Sequence, residues 1–101
     1  KQAFDWLQTR EQWIVPAGIP TDDPDQWHRV LVLYHAAVRA EAYAAMGYYA
    51  HWPAVLADWL AGQQAPDGSF SNPEGARNKE DDPLLGSSLA ILALVNSLTL
   101  E

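Results

Sequence analysis

The chain contains no cysteine. Disulfide scaffolds, thiolate metal sites and cysteine nucleophiles are thereby excluded, and the redox compartment stays open. Positive charge is scarce too. Six Lys and Arg stand against thirteen Asp and Glu, giving a net charge of −7 over 101 residues. That balance repels phosphate backbones and anionic headgroups, which argues against nucleic-acid and membrane-surface partners. No apolar run approaches the roughly 20 residues that a membrane span requires. No charged-then-apolar signal segment is read either, and localisation is left open. A Gly-rich phosphate loop is missing. His28, His35 and His51 lack metal-ligand spacing, so no metal and no cofactor is expected.

Tryptophan, by contrast, is abundant, with five in the chain. Each ring can bury on the order of 200 Å² and needs a packed site. Hydrophobic residues reach 49%, an ordinary globular proportion that argues against disorder. Leu100-Glu101 has the form of a cloning junction, which would make the chain an excised piece.

Periodicity and caps predict four helices and no strand, an all-α fold. The first covers about residues 2–13 and is followed by a Pro-rich loop. The second starts at Asp23-Pro24 with Gln26 completing a capping box, carries Trp27, Val30, Leu31, Tyr34, Val38 and Ala42 on one face, and stops at Gly47. The third begins near Pro53, with Val55, Leu56, Trp59 and Leu60 as its apolar face. A polar surface loop is expected at 71–82. Asp82-Pro83 then starts a fourth helix that is apolar nearly all round and reads as a buried inner helix, with Gly86, Ser87 and Ser88 admitting a close neighbour.

The order of elements repeats. "DWLQTREQ" at 5–12 aligns with "DWLAGQQA" at 58–65, placing Trp6 on Trp59, 53 residues on. A loop, an acidic start ("DDPDQW", "EDDPLL") and an Ala/Leu/Val helix follow in both. Two stacked αα-hairpins are expected, about 2–47 and 52–99, within a single domain.

The stretch Trp59-Leu60, three residues, Gln64, three residues, Gly68-Ser69-Phe70 resembles the QW repeat of the squalene–hopene cyclase, oxidosqualene cyclase and protein prenyltransferase superfamily. Phe70 stands where that family usually has Trp, and the first copy lacks the Gly-x-Trp tip. The resemblance covers residues 50–98. It implies an α/α-toroid whose inner helices run the same way, which would bring Asp22, Asp23 and Asp25 near Glu80, Asp81 and Asp82. It also implies that Gln64 bridges to backbone groups at a neighbouring helix end beneath the Phe70 ring.

Class II terpene cyclases of that family protonate their substrate with an Asp-x-Asp-Asp acid kept neutral in an apolar pocket. "TDDPD" and "KEDDP" stand at comparable places, so Asp23, Asp25, Asp81 and Asp82 are the candidate acids. Neither stretch has the family order, and helix capping accounts for both equally. Trp27, Tyr34 and Trp52 are candidate ligand-facing aromatics that could stabilise carbocations or simply pack. Two hairpins cannot close a toroid. The sequence therefore reads as a toroid repeat segment, not catalytic alone, with an isoprenoid or lipid as ligand and a homo-oligomer or the remainder of a longer chain as partner. The alternative is a non-enzymatic αα-repeat module for protein or glycan.

Overall fold

The computed structural model describes residues 2–10, 13, 22 and 24–98. Among them are five α-helices and one 3-10 turn, with no strand: α1 (Gln2–Gln8), α2 (Trp27–Val30), α3 (Val32–Ala45), α4 (Trp52–Gln63), the turn Ala76–Asn78 and α5 (Pro83–Asn96). The all-α expectation holds.

The local signals placed most boundaries. Asp82 Oδ1 accepts from Leu84 N at 2.9 Å and Pro83 opens α5. Pro53 lies in the first turn of α4. Gly47 takes φ +69, and the amides of Gly47 and Tyr48 close back onto Ala44 and Tyr43. That pair of bonds is a Schellman ending, which requires the left-handed conformation glycine adopts without penalty.

The second helix departs from expectation. It breaks at Leu31 (φ −106, ψ 16) into a single turn and a long helix. Gln26 adopts a left-handed φ of 60 and makes no side-chain cap, while Asp23 lies outside the described residues. Pro24 sits in a turn before α2 instead of opening it. The first helix is also shorter than expected, ending at Gln8.

The principal packing is α3 against α5. Both present small residues to the core: Ala36, Ala37 and Ala40 on α3, and Gly86, Ala90 and Ala93 on α5. The chain segment at Phe70 crosses α5 at Gly86. A methyl there would meet the Phe70 carbonyl and lie 2.9 Å from Ser71 Cα. The small residue thus admits a loop and not a second helix.

The aromatic residues gather beside the C-terminal half of α3. Trp13 stacks on Trp52 (5.6 Å) and Tyr49 on Trp52 (5.9 Å), with Tyr43 edge-on to Trp13 and Tyr48. Edge-to-face and offset pairs of this kind each add about 0.5–1.5 kcal/mol beyond area burial.

The molecule is a slab of 34 × 32 × 17 Å. A helix with side chains is about 10–12 Å across, so 17 Å holds no more than two layers. A helix apolar on all sides cannot be enclosed in such a slab. Accordingly α5 is not the buried helix its composition suggests. Leu84 (77% exposed), Ile91 (57%), Val95 (57%) and Leu98 (61%) stand bare.

Candidate functional site

The N-terminal end of α3 meets the segment just ahead of α5, and the residue that joins them is Glu80. Its side chain is fully buried. Oε1 accepts from Leu33 N and Oε2 from Tyr34 N, both at 2.9 Å. These are the second and third residues of α3, whose amides have no intrahelical partner and are ordinarily met by an N-cap side chain. Leu31, at the cap position, has none to offer. Glu80 therefore caps α3 from 47 residues away while lying just ahead of α5. Asn72 Nδ2 (3.2 Å) and Asn78 Nδ2 (3.4 Å) also donate to the carboxylate. Asn72 Nδ2 donates in addition to the Arg29 carbonyl at 2.6 Å. The 71–82 segment is consequently anchored through buried Asn72 and Glu80 and is not the purely surface loop its composition suggests.

The candidate acids are placed differently. Asp81 and Asp82 are exposed, and Asp82 is occupied in capping α5. Asp25 is exposed and pairs with Arg77 at 3.4 Å. Asp23 lies outside the described residues. A carboxylic acid kept protonated needs an apolar pocket, and these three described side chains have water instead. Capping accounts for Asp82 and surface pairing for Asp25.

The turn at 64–70 is closed locally. Gln64 Nε2 donates to the Gly68 carbonyl at 2.8 Å, and Asp67 Oδ1 accepts from the Ser69 amide and hydroxyl. These two bonds hold the Asp67 carboxyl below its usual range. Gln64 thus braces its own turn, where a bridge to a neighbouring helix end was expected. Phe70 is buried in the core, its amide donating to Ser87 Oγ at 2.9 Å. Leu60 is buried and Trp59 half-buried. A groove of about 420 Å³ runs between α4 and α5, with Leu60, Ala61 and Leu94 along it and Gln64 and Ser87 at its polar end. A second groove, about 290 Å³, lies between α1 and α3 and includes Phe4, Leu7 and Ala42. Leu7 lines the groove beside α1 and Leu60 the groove beside α4.

Of the three candidate aromatics, Trp52 takes the packing alternative. It is fully buried, its Nε1 donating to the Tyr48 carbonyl. Trp27 is half-buried under the Arg77 guanidinium, 6.0 Å from the ring centre. Tyr34 is 50% exposed. The three are not brought together into one wall.

Sequence reasoning missed Arg39. It is almost fully buried and pairs with no described carboxylate. Nη1 donates to Tyr43 Oη (2.8 Å) and the Leu7 carbonyl (3.0 Å), Nη2 to the Arg10 carbonyl (3.1 Å), and Nε to His35 Nε2 (3.1 Å). The guanidinium thus holds the chain at and just beyond the C-terminal end of α1, where helix carbonyls carry partial negative charge. The signal available in the sequence was position: Arg39 falls on the same stripe as Ala36, Ala40 and Tyr43. Burial, and then the adjacent Arg39 charge, lower His35 from 6.5 to about 4.

The chain matches no family model, no curated protein and no solved structure. No group of three His, Asp or Glu among the described residues could hold a metal ion. No described helix is long and apolar enough to cross a membrane.

Proposed function

We propose that this chain is a repeat segment of an α/α-toroid of the squalene-cyclase and prenyltransferase type, without catalytic activity of its own. The observation that carries the reading is the bare face of α5. Between Pro83 and Leu98 there is no charged residue, yet Leu84, Ile91, Val95 and Leu98 are exposed. A contiguous apolar helix face on a soluble chain marks a contact surface, and the end of a repeat array exposes such a face to the next repeat. Two further features support it: the start of α3 meets the segment ahead of α5 through Glu80, and an apolar groove borders each long helix, with α1 beside α3 and α4 beside α5. In a complete toroid the reaction implied is cationic cyclisation of an isoprenoid.

The second reading is a non-enzymatic αα-repeat module for a protein or glycan partner. Exposure of Asp25, Asp81 and Asp82 favours it, because none of them is sheltered as a proton donor would need to be. Light scattering with and without a long-chain isoprenoid separates the two. A change of mass or a saturable shift on adding isoprenoid is expected from the toroid reading. An assembly indifferent to isoprenoid would favour the module.

A further inference from the structure

α1 is a seven-residue helix with no buried residue. Besides the packing of Leu7 against the core, two sets of contacts tether it. One is ring packing of Phe4 against Tyr43 (6.1 Å) and Tyr48 (5.3 Å). The other is Arg39, which donates to the carbonyls of Leu7 and Arg10. The orientation of that guanidinium is fixed from the opposite side by His35 Nε2, which accepts its Nε–H. An imidazole nitrogen accepts only while it is unprotonated. Neutral His35 is therefore a condition of the contact.

We propose that His35 and Arg39 form an acid-sensitive latch on α1: protonation of His35 removes the acceptor for Arg39 Nε, sets two cations side by side in a buried site, and releases the carbonyls of Leu7 and Arg10. The inference is independent of the toroid reading. Among the described residues no carboxylate pairs with either cation. On α3 the facing groups are the Tyr43 hydroxyl and Arg39 itself; Glu41 is exposed. From the α1 side the facing groups are backbone carbonyls. The Arg10 guanidinium is turned away onto the Trp6 ring (4.1 Å), and Asp5 is exposed. Trp13 presents an indole. The ion pairs among the described residues, Arg29–Glu74 and Arg77–Asp25, lie elsewhere. With Nε2 accepting, the neutral ring carries its proton on Nδ1, which is buried without a partner, so the second proton must enter at Nε2, where it faces the Arg39 Nε–H. The depressed His35 value near 4 agrees with this geometry. The latch is closed at neutral pH and opens as pH falls through that value.

The test follows the near-ultraviolet circular dichroism of the full chain from pH 7 to 3, where the stacked Trp13, Tyr43 and Trp52 report, with far-ultraviolet signal as the control for α3 and α5. The expected result is loss of most of the near-ultraviolet signal in one step near pH 4, with far-ultraviolet signal largely retained. His35→Gln keeps an acceptor for Arg39 and cannot titrate, so its step should vanish. A step of equal size and midpoint in His35→Gln overturns the proposal. Should that variant not fold at pH 7, the His35 ring is titrated by NMR in the unaltered protein. A midpoint coinciding with the dichroism step supports the latch, and one at or above about 6, as in an unperturbed histidine, overturns it.

Discussion

Glu80→Gln is the most informative single change. The substitution preserves shape and keeps one oxygen, which can still accept from Leu33 N or Tyr34 N. The amide group that replaces the other oxygen turns a donor toward a backbone donor. One amide in the first turn of α3 is then buried without a partner, which costs about 1–3 kcal/mol. Loss of the negative charge at a helix N-terminus removes about 0.3–1 kcal/mol more. Against this, a neutral side chain no longer bears the cost of burying a charge. The net expectation is the lower part of the range, about 2 kcal/mol, which is a large fraction of the 5–15 kcal/mol typical of a domain. Urea unfolding reads it directly: the midpoint should fall by about 1–2 M with an unchanged slope. Glu74→Gln is the matched control. Its pair with Arg29 is more than half exposed on both sides, so it should cost no more than about 0.5 kcal/mol. If Glu80→Gln unfolds at the control's midpoint, Glu80 is not what starts α3.

Three further outcomes are expected. Gly86→Ala places a methyl against the Phe70 carbonyl and Ser71 Cα, and should destabilise by about 1–3 kcal/mol in the same urea assay. Arg39→Lys retains the charge but loses the planar fork that reaches Leu7, Arg10, His35 and Tyr43 together. A loss of about 2–3 kcal/mol, with increased amide hydrogen exchange in α1, is expected. The third concerns pH. His35 binds its proton less readily in the folded chain (about 4) than unfolded (6.5), so the unfolded state holds more protons between those values and stability rises with pH across them. Its contribution is complete above about pH 6.5 and is lost as pH falls toward 4. The full difference corresponds to about 3 kcal/mol, reduced by partial exposure to about 1–2 kcal/mol. Urea midpoints of the protein and of His35→Gln, compared at pH 7 and pH 5, should show a smaller decline in the variant.

What the sequence made legible were features fixed by neighbours along the chain. The Asp82-Pro83 start, Pro53 in the first turn of α4 and the Gly47 ending each depend on two to six consecutive residues. The break at Leu31 was not legible, because "WHRVLVLY" keeps its apolar spacing straight through it. What restarts the helix at Val32 is a carboxylate that lies beside it only after folding. Gln64 was assigned a distant partner by resemblance, whereas the Gly68 carbonyl four residues on satisfies it within the turn. Trp52 stays open between ligand-facing and packed in the sequence, because composition cannot separate a wall from a core; the structure buries it. The all-round apolar pattern of α5 suggests a buried helix, but composition cannot reveal that Leu84, Ile91, Val95 and Leu98 have no covering layer here.

The bare face of α5 is the claim on which the functional reading stands. Its most direct test is the solution mass of the chain as a function of concentration, beside that of the double variant Ile91→Asp, Val95→Asp. Both side chains are 57% exposed, so the variant should unfold at nearly the same urea concentration as the parent. The parent is expected to rise above its 11.2 kDa monomer mass as concentration increases, and the variant to stay at it. A parent that remains monomeric throughout, or a variant that associates equally well, would contradict the account.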